Sequence, residues 1–374
     1  MNNSKSNSPI RLIAFFLVAL LLVCTFGFTA DGWLDKDGDA GTPGESDENS
    51  ENGGTNTDDA LTDKPQDDEQ KDDEPVVHIP EFTNPLTGVE SNEEISKMFP
   101  TAFVIDSASP LYGVSESDIL AELPTEDGKT RLVSITTDLS RLWKIGSLTQ
   151  TRGYISNLAK YFSSSLVSVG CDDKVSYDSI QVDWHFDLSQ NIGHHYTEYT
   201  DYNYTNGDLI RAGLANTGIQ PSSPVKLPFN FNDFTNDELY GSAKAHSVTI
   251  PFSQSSRTEL SYSESDGMYS ITKSGTQGAV SSSRDFAKFK NCFVLFANSV
   301  TYESLSGVQT VMNTLGEGYG LYFTNGTVTQ ISWTANASGE LIFYTSDSVK
   351  LVVNRGTSYI AYMKSSRSEE VKFS

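Results

Sequence analysis

The residues best placed to do chemistry lie between Tyr112 and Arg152. Ile119 to Leu123 reads as a strand and Arg131 to Thr136 as a returning strand. Between them Glu126-Asp-Gly128 is a turn signal, because glycine supplies the positive φ that a tight connection needs. Ser115 could cap a short turn through Asp118 just ahead. The hairpin is expected to bring Glu122 near Arg131, as a cross-strand ion pair or, with a second carboxylate, as the acid of a hydrolase. Further along, Gly146-Ser147-Leu-Thr149-Gln-Thr151-Arg152 leads into a helical pattern. Hydroxyls and a guanidinium there would stand beside backbone N–H groups that lack helical partners, a suitable place for a carboxylate or phosphate. The candidate ligand-binding residues are therefore Glu122, Arg131, Thr149, Thr151 and Arg152, against the plainer reading of a helix cap followed by a surface arginine.

Other reactive residues form weaker patterns. His185, His194 and His195 could be drawn with Asp183 or Asp187 as a metal site, yet their spacing fits no ligand pattern, and surface histidines are the expectation. Cys171 and Cys292 could pair only by bridging two halves of the chain. No G-x-S-x-G elbow, H-E-x-x-H helix or phosphate loop occurs, so nothing in the chain argues for catalysis, and no cofactor or metal is expected.

The elements that must position these residues divide at about Gly241. Before it, Ala102 to Ile105 is a short strand, and Thr151 to Phe162 is a helix with Tyr154, Ile155, Leu158, Ala159 and Phe162 on one face. Leu166 to Val169 follows as a buried strand. Ser179 to Leu188 alternates, with Ile180, Val182, Trp184, Phe186 and Leu188 inward and His185 on the wet face. Tyr204 to Gly218 is a second helix, capped by Thr205 or Asn206 and stopped by Gly218. After Gly241 the signals are short strands: Val248 to Phe252, Cys292 to Phe296, Leu341 to Tyr344, Val349 to Val353 and Tyr359 to Met363, with turns at Asp266-Gly267 and Asn325-Gly326. The expected fold class is α+β: an N-terminal mixed α/β domain over residues 76 to 241, then a small antiparallel all-β domain over residues 242 to 374 able to fold alone.

Ahead of the body, residues 1 to 30 read as a signal or membrane anchor. Leu12 to Phe28 is uncharged and mostly apolar, and Lys5 and Arg11 precede it, which keeps the N-terminus cytoplasmic and sends the rest outside. Cys24, in Leu21-Leu-Val-Cys24, is a lipidation candidate, although Val23 stands where a lipoprotein signal has a small residue. An uncleaved anchor, a lipidated Cys24 and cleavage near Ala30 remain open, and all place the body outside the cytoplasm. Residues 31 to 75 hold 17 acids and 3 bases, so most of the formal charge of −23 sits in a stretch with almost no apolar residues to bury. It is a disordered acidic tether. Asp35-Lys-Asp37-Gly-Asp39 is not a calcium loop, because Ala40 and Ser46 replace the glycine and glutamate that such a loop requires. A basic nucleic-acid footprint is absent.

The hairpin run, together with Asn84-Pro-Leu-Thr-Gly88, Ala102-Phe-Val-Ile-Asp106, Gly318-Tyr-Gly-Leu-Tyr-Phe-Thr-Asn-Gly326 and Ile331-Ser-Trp333, resembles the YerB-like lipoproteins. This is an envelope family built on a two-part domain of unknown function, and the likeness runs from about Asn84 to Met363. It implies a location more than an activity. In the family the segment ending at Arg152 resembles Arg-Ser-Ala-Arg, so Arg152 matches and Thr149 departs. Ser168-Val-Gly-Cys171 replaces a His-containing Gly-rich stretch, and Asp201-Tyr-Asn-Tyr204-Thr-Asn206 replaces Pro-His-Asn ahead of Tyr-Thr-Ser. If those polar residues form the family's site, it is altered here. The expectation is thus a membrane-anchored or lipid-anchored binding or interaction protein of the bacterial envelope, with an anionic envelope ligand or an envelope protein as partner. The competing readings are a peptidoglycan or glycan hydrolase acting through Glu122 and a second carboxylate, and a structural spacer without ligand.

Overall fold

The computed structural model describes residues 77–172, 180, 184–191, 193–198, 202–219, 227–274, 287–304 and 307–374. All belong to one unit, Asp72–Ser374. The apolar run with Cys24, the acidic stretch 31–75, Asp183 and Asp201 lie outside the described residues. No helix among the described residues is long and apolar enough to cross a membrane.

Strands dominate, and most of them join one 14-stranded sheet. Its central order is Gly316–Thr324, Asn291–Ala297, Ser358–Lys364, Ile119–Pro124, Thr130–Thr136, Thr101–Asp106, Ile145–Leu148 and Tyr202–Thr205. Ser165–Ser168 attaches parallel to Thr101–Asp106, and His185–Asp187 parallel to Ser165–Ser168. A second, antiparallel sheet of five strands runs Lys288–Phe289, Met268–Ser274, Arg257–Ser263, Ser247–Pro251 and Lys372–Phe373.

Because side chains alternate across a strand, the central strands bury both faces. Leu120, Leu132, Phe103 and Tyr359 on one face join Val248, Leu260, Tyr269 and Ile271 of the second sheet in one core. On the other face Ile119, Ala121, Val133 and Ile360 share a core with Tyr154, Ile155, Leu158 and Ala159 of the helix Gly153–Tyr161. That helix carries the apolar stripe expected from its sequence. The second long helix is Gly207–Thr217, where Asn206 caps by accepting from the Leu209 N–H at 2.9 Å and Gly218 closes it at φ 67°. Tyr204 and Thr205 are buried in the strand Tyr202–Thr205, so the cap falls to Asn206 rather than Thr205. Of the stretch from Val349, only Val352–Val353 is a strand, and Val349 is exposed.

The boundary expected near Gly241 does not separate two sheets. Ser358–Lys364 pairs parallel with Asn291–Ala297 on one side and parallel with Ile119–Pro124 on the other, so strands from both halves hydrogen-bond across one seam. The purely antiparallel C-terminal domain is therefore replaced by strands in mixed pairing. Their apolar pattern was legible, but strand partners far apart in sequence are chosen by tertiary packing that local pattern does not encode. Residues 246–374 expressed alone should give a far-UV circular dichroism spectrum without cooperative thermal unfolding, because Ser358–Lys364 loses a partner strand. A cooperative native-like transition would restore the independent domain.

Candidate functional site

Register decides what the hairpin can do. Glu122 stands opposite Leu132, and Arg131 opposite Leu123. An offset of one residue turns a side chain to the other face of a sheet, so the expected Glu122–Arg131 pair does not form. Glu122 shares its face with Leu120 and points toward the second sheet, where it has no exposed surface. There its carboxylate contacts the Lys273 ammonium and accepts from the Thr130 hydroxyl at 2.6 Å, the Thr258 hydroxyl at 2.8 Å and the Tyr359 hydroxyl at 2.7 Å. Burial by itself favours the neutral acid, but Lys273 and the three hydroxyls outweigh it and hold the carboxyl below the usual glutamate range. Sequence reasoning missed Lys273, although a signal existed: in Tyr269-Ser-Ile271-Thr-Lys273 it falls on the parity of two buried apolar residues.

The opposite face carries Arg131 and Arg152. Arg131 forms a two-pronged pair with Asp172, at 3.0 Å for both contacts. Arg152 meets the same carboxylate through Nε and grips Glu126 with both terminal nitrogens, Nη1 to Oε2 at 2.6 Å. Its Nη1 also donates to the Thr310 carbonyl at 3.4 Å, and the side chain is only 3% exposed. Arg152 occupies the position just before the helix Gly153–Tyr161, where a cation opposes the helix dipole, and the two carboxylates offset that. The plain surface arginine is thus corrected to a buried one. Glu126, in the hairpin turn, is half-buried at 27% exposure with its carboxylate held by Arg152. Burial works to raise its pKa, while Arg152, its own backbone N–H and Arg131 prevail and leave it lowered. Beside it, burial pushes the Tyr154 phenol up to about 12, with its hydroxyl donating to the Pro124 carbonyl at 3.0 Å. Gly128, at φ 71°, closes the hairpin turn as expected, and its carbonyl accepts from the Ser253 hydroxyl at 2.9 Å.

Neither threonine caps the helix. Thr149 is held by its backbone, to the Val104 carbonyl and from the Val169 N–H, both at 3.0 Å. Thr151 is buried beside Cys171, its N–H bonded to the Gly170 carbonyl at 3.1 Å and its hydroxyl without a partner. Asp118 pairs with Arg141 at 2.7 Å and accepts from the Thr137 N–H at 2.7 Å and Asn84 Nδ2 at 3.3 Å, fastening the Asn84–Gly88 loop to the hairpin.

The parallel pairing sets Ser168, at the end of one strand, beside His185, at the start of the next, Oγ to Nε2 at 2.8 Å. Burial lowers the His185 pKa against the pull of Asp187, which favours the neutral ring. Asp187 is occupied by the N–H groups of Gly170 and Ser189 at 2.8 and 2.9 Å, and Ser168 is fully buried, so this dyad presents no open nucleophile. His194 instead meets the Leu209 carbonyl at 2.9 Å, on another element from His185. Cys171 and Cys292 do not pair with each other: the Cys171 thiol donates to the Thr151 carbonyl at 3.3 Å, and Cys292 is buried in its strand.

An open cleft of about 460 Å³ begins at the first turn of the helix Gly153–Tyr161. Its far wall is the hairpin Ser299–Ser304 and Gly307–Met312 with residues 313–315, not the hairpin that carries Glu122. Asn157, Asn298, Asn313, Ser299 and Thr314 supply amides and hydroxyls, and Tyr154, Val300, Val311, Met312 and Leu315 supply apolar surface. Among the described residues, carboxylates, imidazoles, thiols and cationic side chains are absent from this lining. The arrangement can grip an uncharged polar ligand through hydrogen bonds and apolar contact.

Comparison with known proteins accords with the sequence likeness. Residues 86–220 match the N-terminal domain, and residues 248–360 the C-terminal domain, of a protein family of unknown function (DUF3048). The crystal structure of YerB protein from Bacillus subtilis superposes with a TM-score of 0.65 at 19% identity, over 78% of this chain and 99% of that one. Among curated proteins none matches the chain.

Replacing Arg152 by Ala should destabilise the protein by about 3 to 5 kcal/mol in urea unfolding, because the nearly buried Asp172 and the half-buried Glu126 lose a partner that is itself buried. Arg257→Ala, at an exposed pair with Glu259, should cost less than about 1 kcal/mol. Glu126 has a depressed folded pKa, so its contribution is present above the ordinary glutamate value of 4.5 and is lost as the pH falls below it. That acid-side loss should shrink in Arg152→Ala. Equal costs for the two substitutions would reject the buried assignment.

Proposed function

The chain belongs to the YerB-like family of two-part domains of unknown function, and from that premise we propose that it is an anchored extracytoplasmic binding protein of the cell envelope. Its ligand enters the cleft at the start of the helix Gly153–Tyr161. The observation that carries this reading is the cleft's lining, which offers amides, hydroxyls and apolar surface but no acid–base pair. Glycoside hydrolysis needs two carboxylates about 5 to 9.5 Å apart beside the substrate, and Glu122, the acid of the hydrolase reading, has no exposed surface and three hydroxyls on it. An anionic ligand at Arg152 is likewise disfavoured, because Glu126 and Asp172 already supply the anions. The ligand class that fits is neutral and rich in hydrogen-bonding groups. Location is supported by the sequence alone: Lys5 and Arg11 ahead of the apolar run, and the acidic tether behind it.

Two experiments test the parts separately. For the anchor, external protease on intact cells should remove the body, and Cys24→Ser should release or leave unprocessed a lipid-held protein. Protection of the body until lysis would overturn the extracytoplasmic placement. For the cleft, Val300 and Asn313 are exposed members of its wall. The double variant Val300→Arg/Asn313→Arg should keep the wild-type Tm yet lose co-sedimentation with isolated envelope. Equal sedimentation of both proteins would remove the cleft from the proposal.

A further inference from the structure

We propose that Glu122 and Lys273 condense in the folded protein into an intramolecular amide that ties the central sheet to the second sheet. The two side chains are in contact, 0% and 3% exposed, and 151 residues apart in sequence. The Phe252 ring lies 5.6 Å from the Lys273 nitrogen, and Tyr359 is fully buried on the carboxylate side, so aromatic walls keep water from the pair. Burying an ammonium and a carboxylate together carries a desolvation cost that a neutral amide does not. Fixing the two groups in contact removes the entropic barrier that a bimolecular condensation meets in solution.

The surrounding hydroxyls are arranged for each step. A proton passes from the Lys273 ammonium to Oε1 of Glu122, giving a neutral amine and a neutral acid. The amine nitrogen attacks Cδ, and the negative charge develops on Oε2. That oxygen already accepts from the Tyr359 hydroxyl at 2.7 Å and the Thr258 hydroxyl at 2.8 Å, which together form an oxyanion hole. The Thr130 hydroxyl stands 2.6 Å from Oε1 and 3.1 Å from the Lys273 nitrogen, so it can relay the second proton from nitrogen to the departing oxygen. The C–O bond to Oε1 breaks, the carbonyl re-forms at Oε2, and one water leaves. A carboxylate and an ammonium thus become an amide and water, with no oxidant or co-reactant.

Peptide mapping of the purified full chain under denaturing conditions reads this directly and is indifferent to processing at the N-terminus. The peptides carrying Glu122 and Lys273 are expected as one branched species, lighter by one water than the two together, with the junction on those side chains in fragment spectra. Lys273→Arg should return the Glu122 peptide to its free, full-mass form. Tyr359→Phe keeps the ring and removes one oxyanion donor, so the linked species should accumulate more slowly after refolding; an unchanged rate overturns the role given to Tyr359. Recovery of unlinked Glu122 and Lys273 peptides from the wild-type chain overturns the proposal, whether or not the variants fold.

Discussion

A carboxylate with no exposed surface is the constraint around which this fold is arranged. Left unpaired, Glu122 would incur a desolvation cost of several kcal/mol, comparable with the entire margin of stability of a typical domain. Its four partners come from four strands: Thr130 from the hairpin's return, Tyr359 from the seam strand, and Thr258 and Lys273 from the second sheet. A slip of one residue in any of these strands would aim a partner at the opposite face and leave the carboxylate exposed to apolar surroundings. Leu120 and Ile271 fill that core on the same faces, but dispersion between them is not directional. The charge is what selects one stacking of the two sheets.

The reverse side of the same hairpin repeats the logic at a partly wet surface. Arg131, Arg152, Glu126 and Asp172 balance to zero net charge, and the paired forks of the two arginines fix directions as well as distances. The turn at Glu126–Gly128, the helix start at Arg152 and the backbone at Thr310 are drawn together by one side chain. Two charge clusters on the two faces of one hairpin therefore hold the second sheet below and the helix above.

Much of this was legible in local sequence. The hairpin turn, the apolar stripe of the helix Gly153–Tyr161, the Asn206 cap and the Gly218 stop are written in residues a few positions apart, where steric preference and side-chain hydrogen bonding act directly. The site was legible only in part, because a hairpin read without its register leaves the facing of Glu122 and Arg131 undecided. Lys273 was visible as a lysine on a buried parity, and Glu122 likewise shares the parity of Leu120. Asp172 carried no signal, since it joins Arg131 and Arg152 only after strands distant in sequence have paired. The parallel seam at Ser358–Lys364 was illegible for the same reason.

The cleft depends on that seam. Gly153, Tyr154 and Asn157 line it from the first half of the chain, and residues 298–300 and 311–315 from the second. Thr314 stitches the two: its hydroxyl accepts from Asn157 Nδ2 at 2.9 Å and donates to the Tyr154 carbonyl at 3.3 Å, while its carbonyl accepts from the Tyr161 hydroxyl at 2.7 Å. Walls fixed by such bonds lose little further freedom when a ligand arrives, so weak amide and hydroxyl contacts suffice for binding that a mobile groove could not achieve. Thr149 and Ser168 are both engaged within the protein, by backbone and by His185. In the proposed reading the ligand meets the cleft that the two halves make together, and its walls rest on the core shared by the helix Gly153–Tyr161 and the central sheet, on the face opposite Glu122.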